Sequence, residues 1–423
     1  MHVMLIGAGG REHALAWKLA GEKGVDKITV APGNPGMRAL GPKIETLEVP
    51  AEDVANLVAW ASVQYPDLVV VGPEAPICEG IADRLEEIDI ACFAPSEEAA
   101  KIEASKRFMK EIAAEAGVPT AAYGAFDDKA AALEWLEARG EAMVVKADGL
   151  AAGKGVVVCE TLEETRGAVE EMFAGRFGHA GERVVLEERL EGEEASFFAI
   201  SDGERVLPMI GSQDHKRAFD GDEGPNTGGM GAYSPAPVFT DDVRRQTIER
   251  IIQPTADALA ARGTPYRGVF YAGLMVGPDG PKLIEFNARF GDPECQVMMR
   301  LLKSDLAPAL MAAAEGDLSG CAFEWSEEAC ALVVMATKGY PEGYEKGSVI
   351  GGLDAAGALP GVEVFHAGTA ERDGAILASG GRVLNVTATA PSLKEAVASA
   401  YAGVDAIDWP EGFHRRDIGW RAL

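Results

Sequence analysis

Glu285 and Asn287 close the run Pro281-Lys-Leu-Ile-Glu-Phe-Asn287, and Arg289 and Gly291-Asp-Pro-Glu294 follow at once. The run reads as a strand, in which residues i and i+2 share a face. A carboxylate and an amide oxygen therefore stand side by side. Hard oxygen ligands of this kind suit Mg²⁺, which takes one or two protein groups and completes its shell with water and phosphate. Taken alone, the pair reads more simply as a solvated strand end. The other polar motifs of the chain reverse that preference.

Met143-Val-Val-Lys146, a Gly-rich stretch ending in Gly153-Lys154-Gly155, and Val156-Val-Val-Cys159 read as a hairpin carrying a flap. It is not a Walker A loop: the spacing is one residue short, Ser/Thr is missing, and a strand follows where a P-loop needs a helix. Such a flap can still fold over phosphates with its N–H groups and Lys154. Lys146 at the strand end beside it reads, by itself, as a solvated charge. The next strand, Val184–Leu190, runs into Glu191-Gly-Glu-Glu194, where an acidic side chain can hold ribose hydroxyls or simply mark a charged turn. Residues 213–237 form a long Gly-rich segment of mixed charge. Structureless connections of that length are uncommon unless functional or disordered, and Phe219, Met230 and Tyr233 give this one groups to pack. It suits a small zwitterionic or phosphorylated substrate.

The elements that must position these groups are legible in outline. His2-Ile6, a glycine cluster, the helical stretch Glu12-Leu19 and the strands Lys27-Ala31 and Asp67-Val71 predict a parallel α/β domain with ligands at its strand C-termini. The dinucleotide fingerprint fails there, because Glu12 stands at its third glycine and Pro32-Gly-Asn34 replaces the ribose-binding acid. The backbone at Gly9-Gly10-Arg11 remains a candidate anion cradle. Helices follow over 97–102 and 105–113. Arg267-Val276 and Pro281-Asn287 form a hairpin around Gly-Pro-Asp-Gly. Asp292 reads as the N-cap of a helix, with Pro293 at its first position. Ala329-Ala336, Gly380-Ala388 and Ser392-Val404 give two strands and a helix to the last hundred residues, where His366 reads as structural.

A chain of 423 residues has room for roughly two to four domains. Its formal net charge of −28 disfavours nucleic acid and anionic membranes as partners. No apolar run reaches membrane-spanning length, and the N-terminus reads as a first strand and not as a signal peptide. Six scattered cysteines without a C-x-x-C pair fit a reducing cytoplasm and argue against zinc or disulfides.

Together these motifs resemble the ATP-grasp superfamily and, within it, the phosphoribosylamine–glycine ligase (glycinamide ribonucleotide synthetase) family. The resemblance rests on Gly9-Gly-Arg-Glu-His-Ala-Leu15, Ser105-Lys-Arg-Phe108, the stretch 145–156, Gln213-Asp-His-Lys-Arg217, the stretch 224–237 and the stretch 285–294. The segment 213–237 is its specific part, since other ATP-grasp ligases and carboxylases lack it. The resemblance implies a multidomain α/β and α+β protein. An N-terminal parallel α/β domain would span 1–103, an ATP-grasp domain 104–327 with a mobile lid at about 120–190, and a small C-terminal α+β domain 328–423.

It also implies roles. Lys106, Lys146 and Lys154 would meet ATP phosphates, Glu187, Glu188 and Leu190 adenine, and Glu194 ribose. Glu285 and Asn287 would ligate Mg²⁺, with Mn²⁺ as an alternative. Arg289 would face the reacting phosphoryl group; Lys146 and Asp214 join it as catalytic candidates. Asp214, Lys216, Arg217, Asn226, Thr227 and Gly228, with Gly10, Arg11, Gly33, Asn34 and Glu74 from the N-terminal domain, would surround glycine and 5-phosphoribosylamine. The implied reaction is ATP-dependent formation of glycinamide ribonucleotide in the cytoplasm. A monomer is expected, with transient contact to the phosphoribosylamine-producing enzyme left open. Two departures stand out. Gly273 occupies the place of an acidic metal ligand on the hairpin's first strand, and Cys295 stands where the family often has Thr. The Cys295 thiol near a helix start could have a lowered pKa, although a small buried side chain is the simpler reading. A non-catalytic nucleotide sensor is the rival from another class.

Overall fold

The computed structural model describes residues 1–149, 155–176 and 183–423. Four sheets position the site. The N-terminal sheet is wholly parallel, in the order Ile44–Thr46, Lys27–Pro32, His2–Gly7, Leu68–Val71, Cys92–Phe93. The stretches 3–6 and 68–71 of its strands are unbroken apolar runs because both faces are covered. The helix Gly10–Ala20 leaves the first strand and packs on the helix Glu294–Leu301.

The central sheet is antiparallel, in the order Val206–Pro208, Glu193–Asp202, Arg267–Gly277, Gly280–Asn287. Phe197, Phe270, Leu274, Leu283 and Phe286 bury one face of it. The helix Lys106–Glu115 packs there through Met109, Ile112 and Ala113, the i, i+3, i+4 stripe of an amphipathic helix. Ser105 starts that helix by accepting the N–H of Phe108 on its hydroxyl at 3.1 Å.

A lid sheet, in the order Tyr123–Phe126, Val184–Glu188, Met143–Ala147, Val156–Val158, stands over the central one on its own small core. The expected hairpin is present: Lys146 pairs with Val156. The flap between them, with Lys154, lies outside the described residues.

The fourth sheet corrects the reading of 213–237 as an irregular loop. Gln213–Asp214 and Gly231–Ser234 pair with each other, and the latter pairs with Ala329–Thr337, which leads on to Arg382–Ala390 and Val362–His366. Arg217–Phe219 and Glu223–Asn226 form a hairpin between them. The segment is thus built into the C-terminal sheet, across the boundary expected at 327. Met230 and Tyr233 are buried as expected, but Phe219 is 50% exposed. The last long helix, Leu393–Ala406, is capped by Ser392.

Candidate active site

The lid, the central sheet, both ends of the chain and the segment 214–228 converge on one cleft of about 970 Å³. Glu285 lies opposite Gly273 in the hairpin register, and both Glu285 and Asn287 face the cleft. Neither side chain makes a hydrogen bond or ion pair to another described residue, so a carboxylate and an amide oxygen stand free. Burial would raise the Glu285 pKa, but Lys216, Lys146, Lys106 and Arg289 outweigh it and hold the carboxyl below its usual range. An ionised carboxylate beside an amide oxygen fits a hard divalent cation. Among the described residues there is no cluster of three or more His, Cys, Asp or Glu that would hold a metal without help from a ligand.

The cations are placed by different elements. Lys106, at the first position of its capped helix, donates to the Gly149 carbonyl at 2.9 Å. Lys146 donates to the Ile284 carbonyl at 3.1 Å and lies 2.9 Å from Glu187. Arg289 is gripped by two carboxylates, Glu74 at 3.3 Å and Glu103 at 3.6 Å. Burial works against its charge, but Glu103 and Glu74 outweigh it and raise its pKa. Lys216 lies 3.0 Å from Glu194. Asp214, deep in the cleft, is pushed up to about 6 by burial, with Glu294 and Glu194 adding to the shift and Lys216 opposing it.

Of the residues expected at the site, Arg11, Glu74, Lys106, Lys146, Glu187, Glu188, Leu190, Glu194, Asp214, Lys216, Arg217, Asn226, Thr227, Gly228, Glu285, Asn287 and Arg289 line this cleft. Gly10, Gly33 and Asn34 do not. Gly10 faces the C-terminal segment, where a Cβ would collide with Asn385 and with Gln296. Asn34 caps the short helix Pro35–Arg38 through the N–H of Met37 and donates to the carbonyls of Ala8 and His366, so ordinary turn chemistry uses its side chain. The expected anion cradle at Gly9 is filled by the chain itself. Glu12 accepts the Gly9 N–H at 2.7 Å and Arg11 Nε at 2.5 Å, and its side chain occupies the space above Gly7 and Gly72.

One further expectation changes. Asp292 is not an N-cap. The helix begins at Glu294 after a non-helical Pro293, and Asp292 instead takes Arg382 at 3.3 Å and Gln296 at 2.9 Å. Cys295 is fully buried, and burial pushes its thiol well above the ordinary value, which removes the reactive-thiol alternative. Glu187 lines the cleft, and its carboxylate lies against two lysines, Lys110 at 3.1 Å and Lys146 at 2.9 Å. His366 is buried and donates its backbone N–H to His13 Nδ1 at 2.8 Å, the structural part expected of it.

Several cleft residues escaped the sequence. Tyr271 donates to Glu294 at 2.8 Å. Arg382 bridges the carbonyls of Gly228 and Asp292, at 2.7 and 2.8 Å. Arg421 reaches the Asp214 carbonyl at 3.2 Å and Asp222 at 2.7 Å. Their partners lie far along the chain, and no local pattern announces them. Lys110, behind the cleft wall, did carry a signal, because it stands one helical turn after Lys106.

A lid sheet facing a central sheet across the cleft, with Lys146 from the lid, Lys106 from the helix Lys106–Glu115 and a metal-suited pair on the central strand, is the arrangement of an ATP-grasp enzyme. Solved structures agree: the chain resembles the biotin carboxylase domain of Hydrogenobacter thermophilus 2-oxoglutarate carboxylase (TM-score 0.74, 17% identity, 98% of this chain and 91% of that one), a likeness of fold. It is closer to the phosphoribosylamine–glycine ligase of Thermotoga maritima (TM-score 0.85, 30% identity, 99% and 100% covered). The N, ATP-grasp (A) and C domains of phosphoribosylglycinamide synthetase match residues 1–103, 104–295 and 330–421. Phosphoribosylamine–glycine ligases of Brucella melitensis and Mesorhizobium japonicum are each 53% identical over 423 residues, covering all of this chain and 98% and 99% of theirs. The chain belongs to the phosphoribosylamine–glycine ligase family, whose members are ligases forming a C–N bond.

Proposed function

We propose that this chain joins glycine to 5-phosphoribosylamine with ATP, giving glycinamide ribonucleotide, ADP and phosphate. Family membership supports the overall reaction. The observation that carries the site assignment is the gathering of Lys106, Lys146, Lys216 and Arg289 around the ionised Glu285 in a cleft shared with residues 214–228.

Glycine's carboxylate attacks the γ-phosphorus of ATP, ADP leaves, and glycyl phosphate results. The amine of phosphoribosylamine then attacks the acyl carbon, phosphate leaves, and the amine's proton is lost. Neither step needs a covalent enzyme nucleophile. Lys106 and Lys146 bind the phosphates, and Arg289, oriented by Glu74 and Glu103, meets the transferring phosphoryl group. Positioning and charge neutralisation of this kind are the main resources of phosphoryl-transfer enzymes. Glu285 and Asn287 would hold Mg²⁺, or Mn²⁺ on the same hard donors; the ion supplies charge neutralisation to the phosphates. Asp214, ionised at neutral pH, lies where it can take an ammonium or amine proton donor. The lid excludes water from the acyl phosphate.

The deciding assay is ADP release with glycine and freshly made phosphoribosylamine, omitting each in turn. ADP formation that requires both supports the reading. ADP formed without the amine points to a different ligase or an idle ATPase, and binding without turnover to a nucleotide sensor.

A further inference from the structure

Behind the cleft wall lies a closed ring of polar contacts. Lys110 has a wholly buried side chain and does not line the cleft. Its Nζ lies 3.1 Å from Glu187 Oε2 and donates to Thr120 Oγ1 at 2.8 Å. The other Glu187 oxygen, Oε1, lies 2.9 Å from Lys146 Nζ, and Lys146 donates to the Ile284 carbonyl at 3.1 Å. On the far side Thr120 donates through its hydroxyl to the Leu283 carbonyl at 2.6 Å, and the Leu283 N–H donates to the Pro119 carbonyl at 2.8 Å. The ring begins and ends on the strand that carries Glu285 and Asn287. It passes through the chain entering the lid, the helix Lys106–Glu115 and the lid sheet.

Burying an ammonium is costly, and burial drags the Lys110 pKa down to about 8 even with Glu187 beside it. A methionine would fill the same volume at less cost, so the charge calls for a reason. Charge balance supplies one. Glu187 faced by Lys146 alone would form a one-to-one pair and quench the charge that the phosphates need. Shared between two lysines, it leaves a net positive charge at Lys146.

We propose that Lys110 is a positioning residue: it engages Glu187 so that Lys146 stays available to ATP phosphate, and through Thr120 it ties the base of the lid to the metal-binding strand. This inference rests on the ATP-ligase reading above.

The test is Lys110→Met, which keeps length and removes charge. The KM for ATP and the Kd of a non-hydrolysable ATP analogue should rise about tenfold, as for outer partners that orient a functional group, with the KM for glycine within about twofold of wild type. Adding Glu187→Gln in the Lys110→Met background should recover part of the ATP affinity, because the quenching carboxylate is gone. A merely structural lysine would lower the melting temperature and leave the ATP and glycine constants in their wild-type ratio, with no recovery in the double variant; that result overturns the proposal. Should Lys110→Met not fold, Thr120→Val replaces it: a weaker rise in the ATP-analogue Kd is expected, and an unchanged Kd overturns the proposal. Analogue binding is measured without glycine or phosphoribosylamine. A wild-type protein that binds the analogue but forms no glycinamide ribonucleotide therefore refutes the function and leaves this inference to be decided by the variants.

Discussion

Glu285 lies directly across the hairpin from Gly273, and a Cβ placed on that glycine would come within 3.3 Å of Glu285 Cγ. The strand opposite therefore offers space where a second acid would have crowded the first. In the proposed site, metal binding would rest on one carboxylate and one amide oxygen, those of Glu285 and Asn287. Glu285→Gln should raise the Mg²⁺ concentration for half-maximal activity by about tenfold or more, because the only formal negative charge of the pair is lost. Asn287→Asp, which adds a charge, should lower it. A Mg²⁺ titration of ADP release checks both, and an unchanged midpoint in Glu285→Gln would remove the pair from the metal site.

Arg289 is held on one side by Glu74 and Glu103 and opens to the cleft on the other. Arg289→Ala should lower kcat by about 100-fold or more, the scale for removing a donor aimed at developing charge, while ATP-analogue binding largely survives. The variant should also melt earlier, because Glu103, 7% exposed at its side chain, loses its counter-charge. Near-wild-type turnover would sink the assignment.

The Asp214 carboxyl, raised to about 6, sets a pH limb. A raised carboxyl pKa means that the group is protonated below about 6 and ionised above it. If ionised Asp214 holds an ammonium or amine donor, kcat/KM for glycine or for phosphoribosylamine falls as pH drops through 6. In Asp214→Asn that limb should vanish along with most of the activity. The same shift has a stability sign. A carboxyl whose folded pKa exceeds its unfolded value of 3.8 favours the folded state most at low pH and loses that contribution as pH rises through about 6. Asp214→Asn should therefore melt no earlier than wild type at pH 7, a prediction that differential scanning calorimetry can refute.

Arg415, with a wholly buried side chain, clasps Asp222 at 2.8 Å and Asp417 at 2.7 Å and donates to the Arg217 carbonyl at 3.1 Å. It ties the C-terminal end of the chain to the segment 213–226. Arg415→Ala should cost about 3 kcal/mol of stability, the scale for removing one partner of a buried ion pair. Arg421→Ala, at a partly exposed pair with Asp222, should cost less and raise the KM of a small substrate more. Chemical denaturation and steady-state kinetics on the two variants separate these effects.

Local spacing made much of the site readable. Glu285 and Asn287 share a face because a strand alternates, Lys106 stands at a helix start because Ser105 caps it, and Lys146 meets a hairpin because strand, glycines and strand follow one another. The parallel first domain was equally legible, because its buried strands are largely apolar runs. Where reading failed, another side chain had claimed the group, whether distant or three residues away. Asp292 looked like a cap until Arg382 claimed it. The Gly9 turn looked like an anion cradle until Glu12 filled it.

The sequence by itself determined the central hairpin, the cations near it and the family to which they belong, since each depends on residues a few positions apart. Only the tertiary structure decided that 213–237 is woven into the C-terminal sheet, that Arg382 and Arg421 close the cleft, and that Glu187 faces Lys110 and Lys146 instead of solvent. The physical reason is range. Backbone geometry fixes which neighbours share a face, whereas β pairing and buried ion pairs join groups well separated along the chain, and their energies are settled only when the whole chain has packed.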